Sequence, residues 1–212
     1  LPVDPNRIEF VFKEDRRTNP DVEEDHVATG HRDGVITINA AEADAVYREE
    51  MRQAMNEPVR TLFGHFRHES GHYFYDLLID GELREAARAL FGDEGQDYDT
   101  AMRRYYEEGP PPNWQDRYIS AYAAAHPLED WAECWAHYLH IRAALEAAST
   151  MGWQPQAEQP WRQRFVDLAL GLNELVRSLG LPDAYPFVIL PEVGLKLDFV
   201  DEAVKRFRSR LP

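Results

Sequence analysis

This sequence has almost no cysteine and no long apolar run. Cys134 is the only cysteine among 212 residues, which excludes a disulfide framework and a cysteine zinc site within the chain. No stretch approaches the roughly 18 consecutive apolar residues of a membrane-spanning helix. The first residues show no basic segment followed by an apolar one, so they do not resemble a signal peptide. We therefore expect a cytoplasmic protein without a membrane span.

Basic residues are few relative to acidic ones. The chain has 23 Lys and Arg residues against 38 Asp and Glu residues, and its net charge is −15. This charge disfavours binding to nucleic acid or to an anionic membrane surface. Apolar residues make up 44% of the chain, enough for a sizeable core. The sequence opens on Leu1 and not on methionine, so we expect a trimmed fragment and leave a removed secretion signal open.

What the sequence does contain is an HExxH motif, His68-Glu69-Ser70-Gly71-His72. Residues four apart lie on one face of a helix, so His68 and His72 can bind one Zn²⁺ through ring nitrogens and leave room for a water. Glu69 can direct its carboxylate at that water as general base. The alternative is a surface helix with two solvated histidines. We expect one Zn²⁺ per chain at this motif.

The sequence around the motif favours a long helix. Apolar residues recur at helical spacing on both sides of the motif. Pro58 suits the first turn of this helix, and Asp80-Gly81 suits its end. Asp76, one turn beyond His72, is a candidate second-shell carboxylate that could orient an imidazole; it could equally be solvated.

A catalytic zinc site needs a third protein ligand. The extended metzincin pattern fails, because Tyr75 and Leu78 occupy the positions where that pattern has glycine and histidine. No Gly-Thr dipeptide begins an aspartate-type motif. A glutamate from a later helix remains, and Glu129 is our first choice, with Asp130 and Glu133 as further candidates for ligand or supporting carboxylate. The alternative for these acidic residues is a solvated helix surface.

Hydrophobic periodicity predicts a mainly helical α+β domain with a small N-terminal sheet and a long HExxH helix. We predict one domain over residues 1–212, with a strand-rich part at 1–56 and a helical catalytic part at 57–212. Strands are expected at 8–12 and 35–39, turns at 18–20 and 30–34, and helices at 41–55, 58–80, 82–91, 98–108, 127–150, 160–179 and 195–208. Residues 114–125 should be helical at least in part.

The second predicted strand precedes the motif helix. In HExxH peptidases an edge strand at this place commonly hydrogen-bonds an extended substrate. We therefore take Ile36, Thr37 and Ile38 as candidate substrate-binding residues. A purely structural strand is equally compatible with the sequence.

Three stretches of the chain, taken together, resemble one family. They are HESGHYF at residues 68–74, Ser-Ala-Tyr at 120–122 and HPLEDWAECWAHYL at 126–139. In this combination the chain, from about Val35 to its end, resembles the bacterial zinc-binding metallopeptidases related to gluzincins. The resemblance implies a zincin-like metallopeptidase domain that acts on peptides or proteins. Members of that family commonly carry a cysteine-rich zinc ribbon ahead of the peptidase part, which this chain lacks.

A more distant resemblance is to anthrax lethal factor and the Pro-Pro endopeptidases. In those enzymes the first glutamate of an E-x-x-A-E helix pattern binds zinc, and residues 129–133 (EDWAE) resemble this pattern. The resemblance implies Glu129 as ligand and Glu133 as the second-shell carboxylate. Those enzymes also have a tyrosine seven residues before the ligand, where this chain has Tyr122. The implied role of Tyr122 is a hydrogen bond to the oxyanion of the tetrahedral intermediate; without the resemblance it would be read as a packing residue.

These expectations combine into a zinc metallopeptidase with Glu69 as general base. One alternative hypothesis is a zinc-containing module that binds a peptide or protein without cleaving it. Glu69 argues against this module, because a site that only binds has no need of a base. Another alternative is a zinc hydrolase that acts on an amide other than a peptide. None of these hypotheses implies an oligomeric state.

Overall fold

The computed structural model describes residues 8–153 and 158–210. These residues form three β-strands and seven α-helices, so the predicted mainly helical α+β class is confirmed. The strands are β1 (Glu9–Lys13), β2 (Gly30–Arg32) and β3 (Val35–Asn39). The helices are α1 (Ala45–Ala54), α2 (Leu62–Leu78), α3 (Gly81–Phe91), α4 (Tyr98–Glu108), α5 (Pro127–Thr150), α6 (Trp161–Ser178) and α7 (Pro191–Arg208).

The chain divides into two compact units, Leu1–Ala89 and Leu90–Pro212. We expected the strand-rich part to end at residue 56, before the motif helix. The first unit of the structure includes α2, which packs against β2 and β3, and the predicted division into 1–56 and 57–212 stays a prediction. A single domain over the whole chain stays a prediction.

The sheet of the first unit has the strand order β1-β3-β2. β3 pairs in parallel with β1 and antiparallel with β2. The segment that we predicted as a turn, residues 30–34, is therefore mostly strand, and the turn is confined to Asp33 and Gly34. These two residues have φ angles of 51° and 84°. Two positive φ angles in a two-residue hairpin are typical of a type I′ turn, for which Asp-Gly is a preferred pair.

β3 is the central strand of this sheet, so our prediction that it is a substrate-binding edge strand is wrong. Its residues 35–37 are paired with both neighbouring strands. Ile36 and Ile38 are fully buried, and Thr37 is half-buried. The β-branched pattern of this strand indicated burial correctly. This pattern could not indicate that β1, from the start of the chain, pairs with the edge of β3 opposite β2.

The motif helix α2 begins at Leu62, four residues after Pro58, where we expected its first turn. Its start is set by Thr61, whose hydroxyl accepts a hydrogen bond from the backbone N–H of Gly64 at 2.9 Å. A threonine in this position satisfies one of the backbone donors that the first turn leaves unpaired. The ring of Phe66 lies 5.4 Å from that of Phe10 on β1. The contact between Phe66 and Phe10 packs α2 against the sheet.

In the second unit, α5 is the central helix and contacts α6, α7 and a 3-10 turn at Tyr122–Ala124. Its bounds are those predicted, with Pro127 in the first turn. The segment 114–125, expected to be partly helical, contains two 3-10 turns, Trp114–Asp116 and Tyr122–Ala124. α7 begins at Pro191, four residues earlier than predicted. Within the described ranges, no helix has the length and apolar character that crossing a membrane requires.

Candidate metal centre

The HExxH residues lie within α2. His68 and His72 are one turn apart and half-buried, with their ring centroids 5.1 Å apart and their planes at 76°. Glu69 lies between them in sequence, and its side chain is buried. The helix therefore presents two imidazoles on one face and holds a carboxylate next to them.

His68, His72 and Glu129 each offer one ligand atom, and these three atoms lie within 4.8 Å of one another. Two imidazole nitrogens and one carboxylate oxygen form a donor set found in catalytic zinc sites. Such sites keep a further position for water or substrate. The three residues are therefore a possible metal site.

Glu129 is buried in the first turn of α5. Its Oε1 accepts a hydrogen bond from the phenol of Tyr98, the first residue of α4, at 2.7 Å. The ring of Tyr98 packs against that of His126, with the centroids 5.1 Å apart. Sequence reasoning missed Tyr98, because nothing in the local pattern of α4 distinguishes it from the neighbouring tyrosines.

Glu133, also on α5, accepts a hydrogen bond from the hydroxyl of Ser120 at 2.6 Å. The same hydroxyl accepts the backbone N–H of Ala123 at 3.1 Å. These two bonds tie the 3-10 turn that carries Tyr122 to α5. Tyr122 is half-buried, and its ring lies 5.8 Å from that of Tyr105. Ser120, the first residue of the Ser-Ala-Tyr stretch, thus anchors the turn of Tyr122 to α5.

A family model described as "Putative zinc-binding metallo-peptidase" matches residues 3–203. The chain belongs to this metallopeptidase family. The metal group on α2 and α5 lies within the matched range, and zinc binding is part of the family description.

Two relatives of this chain come from Mycobacterium tuberculosis and Mycobacterium bovis. Each is 44% identical to the chain over 194 residues, and each is named as an uncharacterized protein. The match covers 85% of this chain and 57% of each relative, so the chain spans little more than half the length of these proteins. No solved structure matches the chain, and the zincin-like fold stays a prediction.

Asp130, a further candidate for ligand or supporting carboxylate, forms a buried ion pair, and its role at the metal stays a prediction. Its fully buried carboxylate lies 2.5 Å from Nζ of Lys196 on α7, and its second oxygen faces Sγ of Cys134 at 3.7 Å. Burial raises the pKa of Asp130 to about 7, and the ammonium of Lys196 opposes that rise. Successive helix residues point about 100° apart, which is why Asp130 and Glu129 face different surroundings.

Asp76 was a candidate either for orienting a zinc-binding imidazole or for a solvated carboxylate, and its role at the metal stays a prediction. Its electrostatic neighbours are His31, Asp33 and Arg84, on β2, the hairpin turn and α3. The side chain therefore belongs to a polar group beside the hairpin.

Proposed function

We propose that this chain is a zinc-dependent peptidase that hydrolyses peptide bonds with Glu69 as general base. The observation that carries the proposal is the approach of ligand atoms of His68, His72 and Glu129 to within 4.8 Å. The donor set fits zinc, because two histidines and one glutamate leave a position of a tetrahedral site open. When bound, zinc would acidify a water and polarise the carbonyl of the substrate.

Glu69 would move the proton. It follows His68 on α2 and is buried, so the helix limits the directions in which its carboxylate can point. In peptide hydrolysis the attacking water loses a proton and the departing amine gains one. A single carboxylate can accept the first proton and donate it in the second step.

Tyr122 would stabilise the negative charge that develops on the carbonyl oxygen. A positioned donor of this kind is worth roughly 3 kcal/mol in the transition state. This assignment is supported by the way the turn that contains Tyr122 is held in place. The hydroxyl of Ser120 donates a hydrogen bond to Glu133 on α5, the helix that also carries Glu129. α5 thus anchors the turn that contains Tyr122 and also carries Glu129.

We propose that the substrate pairs with β2, since β3 is enclosed. β2 is an outer strand next to α2, and the ring of His31 lies 6.0 Å from that of Tyr73. Arg32 and Val35 flank the two-residue turn and form the hydrogen-bonded pair that such a turn requires. In an antiparallel ladder these pairs alternate, so the N–H and C=O of His31 point to the open edge. An extended peptide can add to an edge of this kind.

The peptidase proposal is tested by incubating a mixed peptide library with the wild-type chain and with Glu69→Gln, and by measuring bound zinc in both. We expect cleavage by the wild type, none by Glu69→Gln, and one zinc per chain in each. Glu50→Gln, at an exposed position of α1, is the matched control and should cleave as the wild type does. Cleavage by Glu69→Gln at the wild-type rate would refute the role of the base. Zinc binding without any cleavage by the wild type would favour the peptide-binding module.

A further inference from the structure

We infer that Tyr98 is a positioning residue for Glu129 and that its hydroxyl sets how tightly the site holds its metal. The inference rests on the proposed metal centre. The phenol donates to Oε1 of Glu129 at 2.7 Å. This distance is in the range of the strong hydrogen bonds that a hydroxyl makes to a carboxylate.

The flexibility of the Glu129 side chain makes such a partner useful. A glutamate side chain loses much of its rotational freedom when it is fixed, and its terminal group can turn about the last bond. A hydrogen bond to one oxygen removes part of that freedom before the metal arrives. Partners of this kind typically change metal affinity by about 10–100-fold.

Burial adds a second reason for the bond. Glu129 is almost fully buried at the start of α5. An ionised carboxylate removed from water must be compensated by donors or by a cation. The phenol of Tyr98 provides such a donor when no metal is bound, and this hydrogen bond holds the side chain of the ligand in place. Tyr98 thereby prepares the site for its metal.

Tyr98 is itself held at a defined distance from α5. His126 links the two elements, because its ring packs edge-on against Tyr98 and its Nδ1 accepts the backbone N–H of Leu128 at 3.1 Å. With Nδ1 acting as acceptor, Nε2 carries the proton and donates to the carbonyl of Gln96 at 3.2 Å. One imidazole therefore joins the loop before α4 to the first turn of α5, where Glu129 lies.

The effect of the Tyr98 hydroxyl on metal affinity can be measured separately from any contribution of the Tyr98 ring to folding. Tyr98 is 41% exposed, so the core does not depend on its ring being enclosed. Tyr98→Phe removes one oxygen atom and keeps the ring that packs on His126. Tyr106→Phe is the matched control, since Tyr106 lies on the same helix and is 63% exposed.

The experiment measures zinc affinity by competition with a chelator, and the visible spectrum of the Co²⁺-loaded protein. We expect Tyr98→Phe to bind zinc about 10–100-fold more weakly than the wild type and to show an altered Co²⁺ spectrum. Tyr106→Phe should match the wild type in both. The metal-free forms of all three proteins should unfold cooperatively in urea with the same m-value, with a modestly lower midpoint for Tyr98→Phe because its buried carboxylate has lost a donor. Wild-type zinc affinity and an unchanged Co²⁺ spectrum in Tyr98→Phe would overturn the inference.

His68→Ala separates failure of this inference from failure of the proposed metal centre. If the wild type binds zinc and His68→Ala does not, the centre is supported whatever Tyr98→Phe does. If the wild type binds no zinc, or His68→Ala binds it as tightly, both the centre and the role of Tyr98 are overturned.

Discussion

Replacing Lys196 by methionine should destabilise the protein, because the change leaves the carboxylate of Asp130 buried without its cation. The side chain of Lys196 is 4% exposed and that of Asp130 is fully buried, and Nζ and Oδ2 are 2.5 Å apart. Nζ also donates to the backbone carbonyl of Arg117 at 2.7 Å. Methionine keeps the unbranched shape and much of the volume of lysine but lacks its terminal ammonium, so the change chiefly removes the charge and the donors.

The expected cost follows from these contacts. Removing one partner of a buried ion pair typically costs about 3–5 kcal/mol. Because burial raises the pKa of Asp130 to about 7, its carboxyl can take up a proton in the variant, which favours the lower end of that range. A loss of about 3 kcal/mol is a large part of the 5–15 kcal/mol that stabilises a typical domain.

Urea denaturation at pH 7, followed by far-UV circular dichroism, measures this loss. We expect a lower midpoint with an unchanged m-value. The control is Lys205→Met on the same helix, where the ion pair with Asp201 is 65% exposed on the lysine side and should be worth at most about 1 kcal/mol.

A second variant tests the cause of the loss. In Asp130→Leu/Lys196→Met both charges are gone, and most of the stability should return, because a buried pair can often be replaced by apolar residues at little cost. A loss in Lys196→Met no larger than that in Lys205→Met would refute the reasoning. So would a double variant that is less stable than the single one.

Two further predictions concern the proposed chemistry. Ser120→Ala removes the hydrogen bond between the turn of Tyr122 and Glu133. This change should lower kcat for peptide cleavage by up to about 100-fold and leave zinc affinity unchanged. The control is Ser178→Ala, at an exposed position of α6. A wild-type kcat in Ser120→Ala would contradict the positioning of Tyr122 by this serine. His31→Pro removes the outward N–H of β2, and it also removes the ring that accepts the N–H of Gly34 and packs against Tyr73. His31→Ala removes the ring alone and is the control. His31→Pro should raise KM for extended peptides above the KM of His31→Ala, without changing zinc affinity. The same KM in both variants would contradict pairing of the substrate with β2.

Local sequence determined the elements on which the site is built. The four-residue spacing of His68 and His72 places both on one face of a helix wherever that helix packs. The bounds of α4 and α5 were predicted at 98–108 and 127–150, because local signals such as Pro127 in a first turn fix helix ends within the neighbouring residues. Burial of β3 was likewise visible in its β-branched residues.

Only the tertiary structure decided which of these elements meet. β1 covers one edge of β3 although their paired residues Glu9 and Val35 are far apart in the chain, and this pairing overturned the expected edge strand. Asp130 pairs with Lys196, 66 residues later, and Tyr98 bonds to Glu129, 31 residues later. A residue pattern reports that a side chain is buried or polar. The partner that satisfies it is set by long-range packing, which no local spacing encodes.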